Sequence, residues 1–383
     1  MAVESTVPVE IDDPVNARIL TVSEDRIQGF AEDPFTEIAR QSGVELPTVL
    51  ERIRAMLASG TIRRVRQTLL ATNLAPGALV AWKVTPERLE SAFDFMSEED
   101  PFSGHVVIRS TDAETPGSAY RLWTTLKVPR GYSMEKHSGF LARQTGAEAF
   151  RLMPARRLFA LGVGHVRRRG VAPGSKTEEP GRVLDTTLVE LTEREWRILV
   201  PLKREFEVHE IRADPWRSRA AESGVSLKEF LEVANSLNER GVVGRFSTFL
   251  EHVKPSVSGN RVTRYNALFH WQVPVGREIE AGREVGRHHI LTHAYWREGG
   301  PEFGNVNIMA VAHGTDKALV LAHKEAIDQH LAAVGIPVGY TNVFWGGRSE
   351  IKPSEISPLA YADWCRSVGL DPEQMRPEPP ATG

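Results

Sequence analysis

The sequence predicts an α+β protein made by tandem duplication, each copy a winged helix-turn-helix followed by a ferredoxin-like βαββαβ domain. Three observations carry that prediction. Residues 39–69 align with 220–250 without a gap at ten identities over 31 positions: Ala39/Ala220, Ser42/Ser223, Gly43/Gly224, Val44/Val225, Leu46/Leu227, Leu50/Leu231, Glu51/Glu232, Gly60/Gly241, Arg64/Arg245 and Leu69/Leu250. Self-similarity of that length reads as a duplicated unit. After each aligned block the hydrophobic pattern runs strand, helix, strand, strand, helix, strand, the split βαβ order. One polar motif also occurs twice, His105 with Arg109 in GHVVIRS and His293 with Arg297 in LTHAYWREGG, each followed by a turn and an apolar run.

In the first copy, residues 1–14 lack periodicity and read as a loose tail. Helices are expected over 15–27, 35–40 and within 43–57, where Val49, Ile53, Met56 and Leu57 fall on one face. Gly60 stops the third helix, and 62–70 alternates as a strand, the wing. Strands follow near 78–84, 105–109, 119–128 and 150–161, with helices near 86–96 and 133–144. The second copy opens on the capping-box pattern Thr192-Glu-Arg-Glu195. Its strands are expected near 265–273, 290–296, 305–312 and 338–344, with helices near 277–287 and 316–334. Trp82 and Trp271 stand at matching places in the first strands, so the repeat extends beyond the winged helix. The expected domains are 15–72 and 187–254 (winged helices), 73–162 and 255–352 (ferredoxin-like), a Gly/Pro/charge-rich linker over 163–186, and a Pro-rich extension over 353–383 wrapped on the surface.

Composition narrows the function. With 41% hydrophobic and 25% charged residues the chain is an ordinary globular protein. Its single cysteine, Cys365, excludes an intramolecular disulfide and any cysteine-based metal site within one chain, which points to a reducing cytoplasm. No apolar run approaches the roughly 18–20 residues that span a bilayer, and the acidic start MAVESTVPVEIDD lacks the features of a signal peptide. No membrane partner is expected. A net charge of −3 argues against the nucleic-acid backbone as main partner. The cations are lopsided, since 10 of the 47 are Lys and 37 are Arg, the side chain suited to forked binding of carboxylate. There is no P-loop, dinucleotide glycine motif or nucleophile elbow. His288-His289-x-x-x-His293 has no Cys and few acids beside it, and its β-branched context spoils a helical i, i+4 pair, so no metal site is expected.

A winged helix followed by a ferredoxin-like domain resembles the Lrp/AsnC architecture, and in detail the siroheme decarboxylases, which are built as pairs of such subunits. The wings GTIRRVRQTLL and GVVGRFSTFLEHVK are similar to that family's G-x-I-R-R-F/I start. NALFHWQVP, THAYWR and NIMAVAHG resemble its strand-one Trp, its H-x-Y-x-R element and its N-L-F-x-M-x-H-G strand; HVVIR, YRLW and RLMPARRLFAL supply the first-copy counterparts. The family's Tyr before the Asn is Val306 here, and the Asn of its Y-N-L-W run is Arg121. The likeness covers about 15–351 and implies an intramolecular pseudo-dimer with two diverged halves, open to further homo-oligomerisation. It implies an iron tetrapyrrole as substrate, no cofactor beyond that ligand, and loss of acetate carboxylates as CO2.

Binding such a polycarboxylate disc needs an apolar slot rimmed by fixed cations. Arg109, Arg297, Arg63, Arg64, Arg245, Arg157 and Arg348 are the candidates for the rim, and Asn307 joins them by its place in the family strand. Decarboxylation needs a carboxylate held and desolvated and an acid near neutrality to protonate carbon. Histidine fits the second requirement. The expected catalytic residues are His293 or His105 as acid (or iron ligand), with Arg297 or Arg109 holding the carboxylate. His313 is expected to point into the same cavity, and Tyr120, Trp123 and Tyr295 to stack on the macrocycle. Two rival readings are a DNA-binding regulator, opposed by Glu229, Glu232 and Glu239 on the second copy's third helix, and a tetrapyrrole-binding protein without turnover.

Overall fold

The structure, a computed structural model, describes residues 7–70, 73–161, 170–183, 188–251 and 264–378. The stretches 162–169 and 184–187, which take in 163–169 and 184–186 of the expected linker, and 252–263 lie outside the described residues.

In the first copy, helix α1 (Pro14–Ser23) is capped by Asp13, whose carboxylate accepts from the Val15 and Asn16 amides. Of the expected tail, residues 1–6 lie outside the described residues, and the part from Pro8 on is tied down: the buried Asn16 amide donates to the Pro8 and Glu10 carbonyls. Strand β1 (Ile27–Gln28), α2 (Pro34–Ser42), α3 (Leu46–Ala58) and the wing β2 (Ile62–Leu69) follow. Then come β3 (Gly77–Lys83), α4 (Leu89–Glu98), β4 (Ser103–Ser110), β5 (Tyr120–Lys127), α5 (Met134–Thr145), β6 (Ala149–Pro154) and β7 (Arg157–Leu161). The second copy repeats the order with α6 (Glu193–Lys203), which carries the expected capping box, α7 (Trp216–Glu222), α8 (Leu227–Glu239) and the wing β8 (Val243–Leu250). It continues with β9 (Tyr265–Gln272), α9 (Glu278–Gly286), β10 (Leu291–Trp296), β11 (Ile308–Gly314), α10 (Lys317–Ala333), β12 (Tyr340–Ile351) and a last helix, α11 (Pro358–Ser367). The matched glycines Gly43/Gly224 and Gly60/Gly241 all have φ between 65° and 80°, the left-handed backbone that ends a helix at little cost only without a Cβ.

The chain divides into two compact units, and the division runs across the repeat rather than between its copies. One unit holds both winged helices. Its wings pair antiparallel, Arg64 opposite Phe249 and Arg66 opposite Ser247, in a sheet ordered β1-β8-β2. One face of this sheet buries Phe246 against Phe35 and Trp216; the other carries Arg64, Arg66 and Arg245 around Phe249. On α3, Arg52 pairs with Asp13 at 3.2 Å and Arg54 donates to the Ile211 carbonyl at 2.8 Å.

The other unit holds both βαββαβ copies in one nine-stranded sheet ordered β6-β3-β5-β4-β12-β9-β11-β10-β7. Within each copy the strands run 4-1-3-2, the ferredoxin-like order. The copies join because each fourth strand leaves its own sheet and pairs with the second strand of the other copy. β12 does this unbroken, from Tyr340 opposite Gln272 to Ile351 opposite His105. The first copy splits this role between two strands, since β6 pairs with β3 and, after Ala155 and Arg156, β7 pairs with β10. The expected strand over 150–161 is therefore two. These cross-pairings occupy the strand-two edges that separate domains would expose.

Strand alternation gives the sheet two faces. Trp82, Val106, Ile108, Leu122 and Leu126 pack in the core that includes Leu89, Phe93, Met96 and Leu141 of α4 and α5. Phe269, Trp271, Ala294, Ile308 and Ala310 do the same with residues of α9 and α10. The opposite faces share a third, inner layer of Ala81, Val107, Trp123, Met153, Leu268, Phe303, Met309 and Phe344. The extension does not merely wrap the surface: Tyr361 and Cys365 of α11 are fully buried in the first copy's core. There His137 bridges the Tyr361 hydroxyl at 3.0 Å and the Asp100 carboxylate at 3.4 Å. The expected linker is likewise tied down where it is described, with the Gly181 amide on the Arg283 carbonyl and the Thr177 amide on that of Arg287.

Candidate active site

The inner layer is apolar at its centre and polar at two ends, and strand register puts the polar residues there. On β4, Val106 and Ile108 face the helices, so His105, Val107 and Arg109 face inward. On β10, Ala294 faces the helices, so His293, Tyr295 and, just beyond the strand, Arg297 face inward. His and Arg four residues apart in a strand lie about 13 Å apart. The repeated His-x-x-x-Arg motif therefore does not make one site; it sends one residue to each end.

At the first end, the Arg109 guanidinium contacts the Asn266 side-chain oxygen and the Phe344 carbonyl, both at 3.3 Å. Asn266 stands opposite His313 on β11, and beyond it His293 of β10 stands opposite Val311. Arg109 of the first copy is thus grouped with Asn266, His313 and His293 of the second.

The second end repeats this with the copies exchanged. Arg297 donates to the Met153 carbonyl of β6, as Arg109 does to Phe344 of β12. By the Trp82/Trp271 match, Gly77 takes the place of Asn266, and Lys127, opposite Gly77, takes that of His313. His105 stands opposite Thr125, one inward position along β5 from Lys127, and its Nε2 is 2.9 Å from the Ser349 hydroxyl. Arg297 also lies over the Tyr295 ring at 4.5 Å, and Tyr295 stacks on His293 with centroids 6.0 Å apart.

Charge is the unusual feature. Arg109 is 4% exposed and Arg297 8%. Among the described residues no carboxylate acts on Arg109, Arg297 or Lys127. Burial alone pushes the Arg109 guanidinium down to about 10. Burial, and then the neighbouring Arg297, push the Lys127 ammonium down to about 8. Burial lowers Arg297 as well and raises the Tyr295 phenol, which Arg297 partly offsets. Unpaired buried cations are costly, and an anionic ligand would relieve that cost.

Other expected site residues lie elsewhere. Arg348 pairs with Glu90 at 2.6 Å and Asp94 at 2.5 Å over the Phe93 ring of α4, so its charge is already matched. Arg157 is exposed on β7 and donates to the Arg156 carbonyl. Asn307 is buried with its amide on the Val273 carbonyl and Glu278, and its oxygen accepts from the Val273 amide; it ties down the end of β9. Tyr120 and Trp123 are core: Trp123 is fully buried against Phe303, Phe344 and His270, leaving no face for a macrocycle. Arg63, Arg64 and Arg245 belong to the winged-helix unit, where Arg64 pairs with Glu205 at 3.0 Å. Sequence patterns alone passed over Lys127, Asn266 and His270. The Trp82/Trp271 offset was the signal that could have found them, because it pairs Gly77 with Asn266 and Ala81 with His270.

The family model for an AsnC-like ligand binding domain matches residues 75–160. Over 305 residues the chain is 27% identical to a siroheme decarboxylase of Hydrogenobacter thermophilus, spanning 79% of this chain and 84% of that one. It is 28% identical over 115 residues to the siroheme decarboxylase NirH subunit of Pseudomonas aeruginosa, 30% of this chain and 64% of that one. The crystal structure of the siroheme decarboxylase NirDL has the same fold, with a TM-score of 0.63 at 21% identity over 92% of this chain and 98% of that one. A second NirDL structure, in complex with an iron-uroporphyrin III analogue, superposes equally well, covering 99% of that chain. With an AsnC-like domain in its first half, a relative matched over most of both chains and a shared fold, the chain is similar to the siroheme decarboxylases, in a form consistent with a single-chain fusion of two subunits.

Proposed function

We propose that the protein removes acetate side-chain carboxylates from an iron tetrapyrrole of the siroheme type, releasing CO2. The observation that carries the reading is the pair of buried arginines, Arg109 and Arg297, on which no carboxylate acts among the described residues, each at an inward-facing end that also holds a partly exposed histidine. Such an end is suited to a carboxylate on an otherwise apolar ligand. The known relatives support the substrate class, since the NirDL complex holds an iron-uroporphyrin III analogue.

The chemistry asks three things of the chain. A guanidinium orients the departing carboxylate with two parallel hydrogen bonds. The apolar surroundings strip water from it, which favours neutral CO2 over the anion. As the carbon–carbon bond breaks, its electron pair stays on the side-chain carbon, delocalised into the ring, until a proton arrives. Histidine supplies that proton and is recharged from solvent. The balance is R–CH2–COO⁻ plus H⁺ giving R–CH3 plus CO2. Register favours His105 as the acid for a carboxylate on Arg297, and His293 for one on Arg109. No organic cofactor is needed, because the substrate brings its own iron and electron sink. A DNA-reading role finds less support, since Arg52 and Arg54 on α3 are engaged within their own unit. No helix among the described residues is long and apolar enough to cross a membrane.

Anaerobic incubation with siroheme followed by mass spectrometry of the pigment tests the reading. Successive losses of the mass of CO2 are expected. Pigment uptake without mass loss would overturn turnover in favour of a tetrapyrrole carrier.

A further inference from the structure

The two ends differ in one respect that the duplication does not explain. Where the first end has Asn266 beside Arg109 and His313 across from it, the second has Gly77 and Lys127. Lys127 faces inward: its neighbours Leu126 and Val128 belong to the core beneath the helices, and its side chain lies over Gly77, opposite it. A Cβ added at Gly77 would stand 3.1 Å from the Lys127 ammonium and 3.4 Å from its Cγ, so the lysine lies directly on the bare glycine backbone. Arg297 donates to the Met153 carbonyl, and Met153 stands opposite Leu79, one inward position along β3 from the Gly77 that Lys127 covers, so the two cations share that end; no carboxylate among the described residues offsets either. Two cations held together without a counter-charge oppose folding unless something anionic completes them. His105, the candidate acid, stands one inward position further along.

We propose that Lys127 and Arg297 form a two-cation clamp for one carboxylate of the tetrapyrrole, and that this clamp makes the His105 end the tighter of the two carboxylate sites. The clamp rests on the decarboxylase reading for the identity of its ligand. Arg297 supplies the planar fork, and Lys127 supplies a point charge on the remaining lone pairs. The Arg109 end, with one cation and a neutral amide, holds its carboxylate more weakly.

The test uses the full chain and iron uroporphyrin III as probe, with affinity read from the absorbance change and turnover read separately with siroheme. Lys127→Gln is expected to weaken pigment binding roughly ten- to a hundredfold, the range for a hydrogen bond to a charged partner, while Lys127→Arg restores most of it. In the ligand-free chain Lys127→Gln should leave the melting temperature unchanged or raise it, because an unmatched charge is removed. Equal affinity in the wild type and Lys127→Gln would overturn the clamp and leave the decarboxylase reading standing. A lower ligand-free melting temperature for Lys127→Gln would also overturn it, making the lysine structural. Pigment binding that depends on Lys127 without CO2 release would sink the decarboxylase reading and keep the clamp. No binding by the wild type would end both.

Discussion

At one end of the inner layer a buried arginine meets an asparagine, with two histidines on the adjoining strands; at the other, an equivalent arginine meets a lysine, with a glycine where the asparagine was. The scaffold around both is the same, down to the guanidinium that donates to the fourth-strand carbonyl of the opposite copy. Duplication thus produces two places of like shape, and changes at Gly77/Asn266 and Lys127/His313 give them unlike charge. A charge difference between matched frames separates what the frame supplies from what individual side chains supply.

Removing the acids probes that difference most strongly. His105→Ala is expected to cut turnover by about a hundredfold or more, the usual scale for a general acid, with pigment uptake intact. His293→Ala tests the same at the other end, and turnover unaffected in both variants would remove histidine as the proton source. Arg297→Met is expected to reduce turnover about a hundredfold, and Arg109→Met by less; equal losses would say that the ends work alike. The double change Gly77→Asn with Lys127→His copies the first end onto the second. It should lower pigment affinity roughly tenfold, and an unchanged titration would break the comparison. Tyr361→Phe is the control outside both ends. Losing the hydroxyl on His137 should cost about 1 kcal/mol in urea unfolding with turnover unchanged.

His270 bears on stability alone, and only at acid pH. It stands where the first copy has Ala81, fully buried near Arg109, and burial first, then Arg109, hold its imidazole down to about 3 from the ordinary 6.5. Between those values the unfolded chain binds a proton that the folded chain refuses. Its contribution to stability is therefore present above about 6.5 and is lost as pH falls toward 3. His270→Phe should flatten the dependence of unfolding free energy on pH in that window by at most about 1.4 kcal/mol per pH unit. An unaltered slope would mean that His270 is not held neutral.

Much of the fold was legible because its signals are local. Thr192 and Glu195 announce a helix start whatever lies nearby, and Gly43, Gly60, Gly224 and Gly241 mark helix ends because glycine adopts the left-handed backbone there without a Cβ clash. Alternation along β4 and β10 said that His105 and Arg109 share a face, as do His293 and Arg297. It did not say what that face meets. The expected rim of seven arginines failed at Arg348 because its partners, Glu90 and Asp94, come from a helix more than 250 residues away in the chain. Trp123 looked like a stacking platform until three aromatic rings from the other copy closed over it.

The chain by itself determined the repeat, the order of helices and strands, and the shared strand face of the His and Arg in each His-x-x-x-Arg motif, since turns, caps and periodicity act over a few residues. Only the tertiary structure decided that each arginine lies at the same end as the opposite copy's histidine, and that Lys127 shares an end with Arg297. Those pairings depend on which strand edges meet and in what register. Register across the copies is set by hydrogen bonds between segments as distant as His105 and Ile351, which no local pattern records.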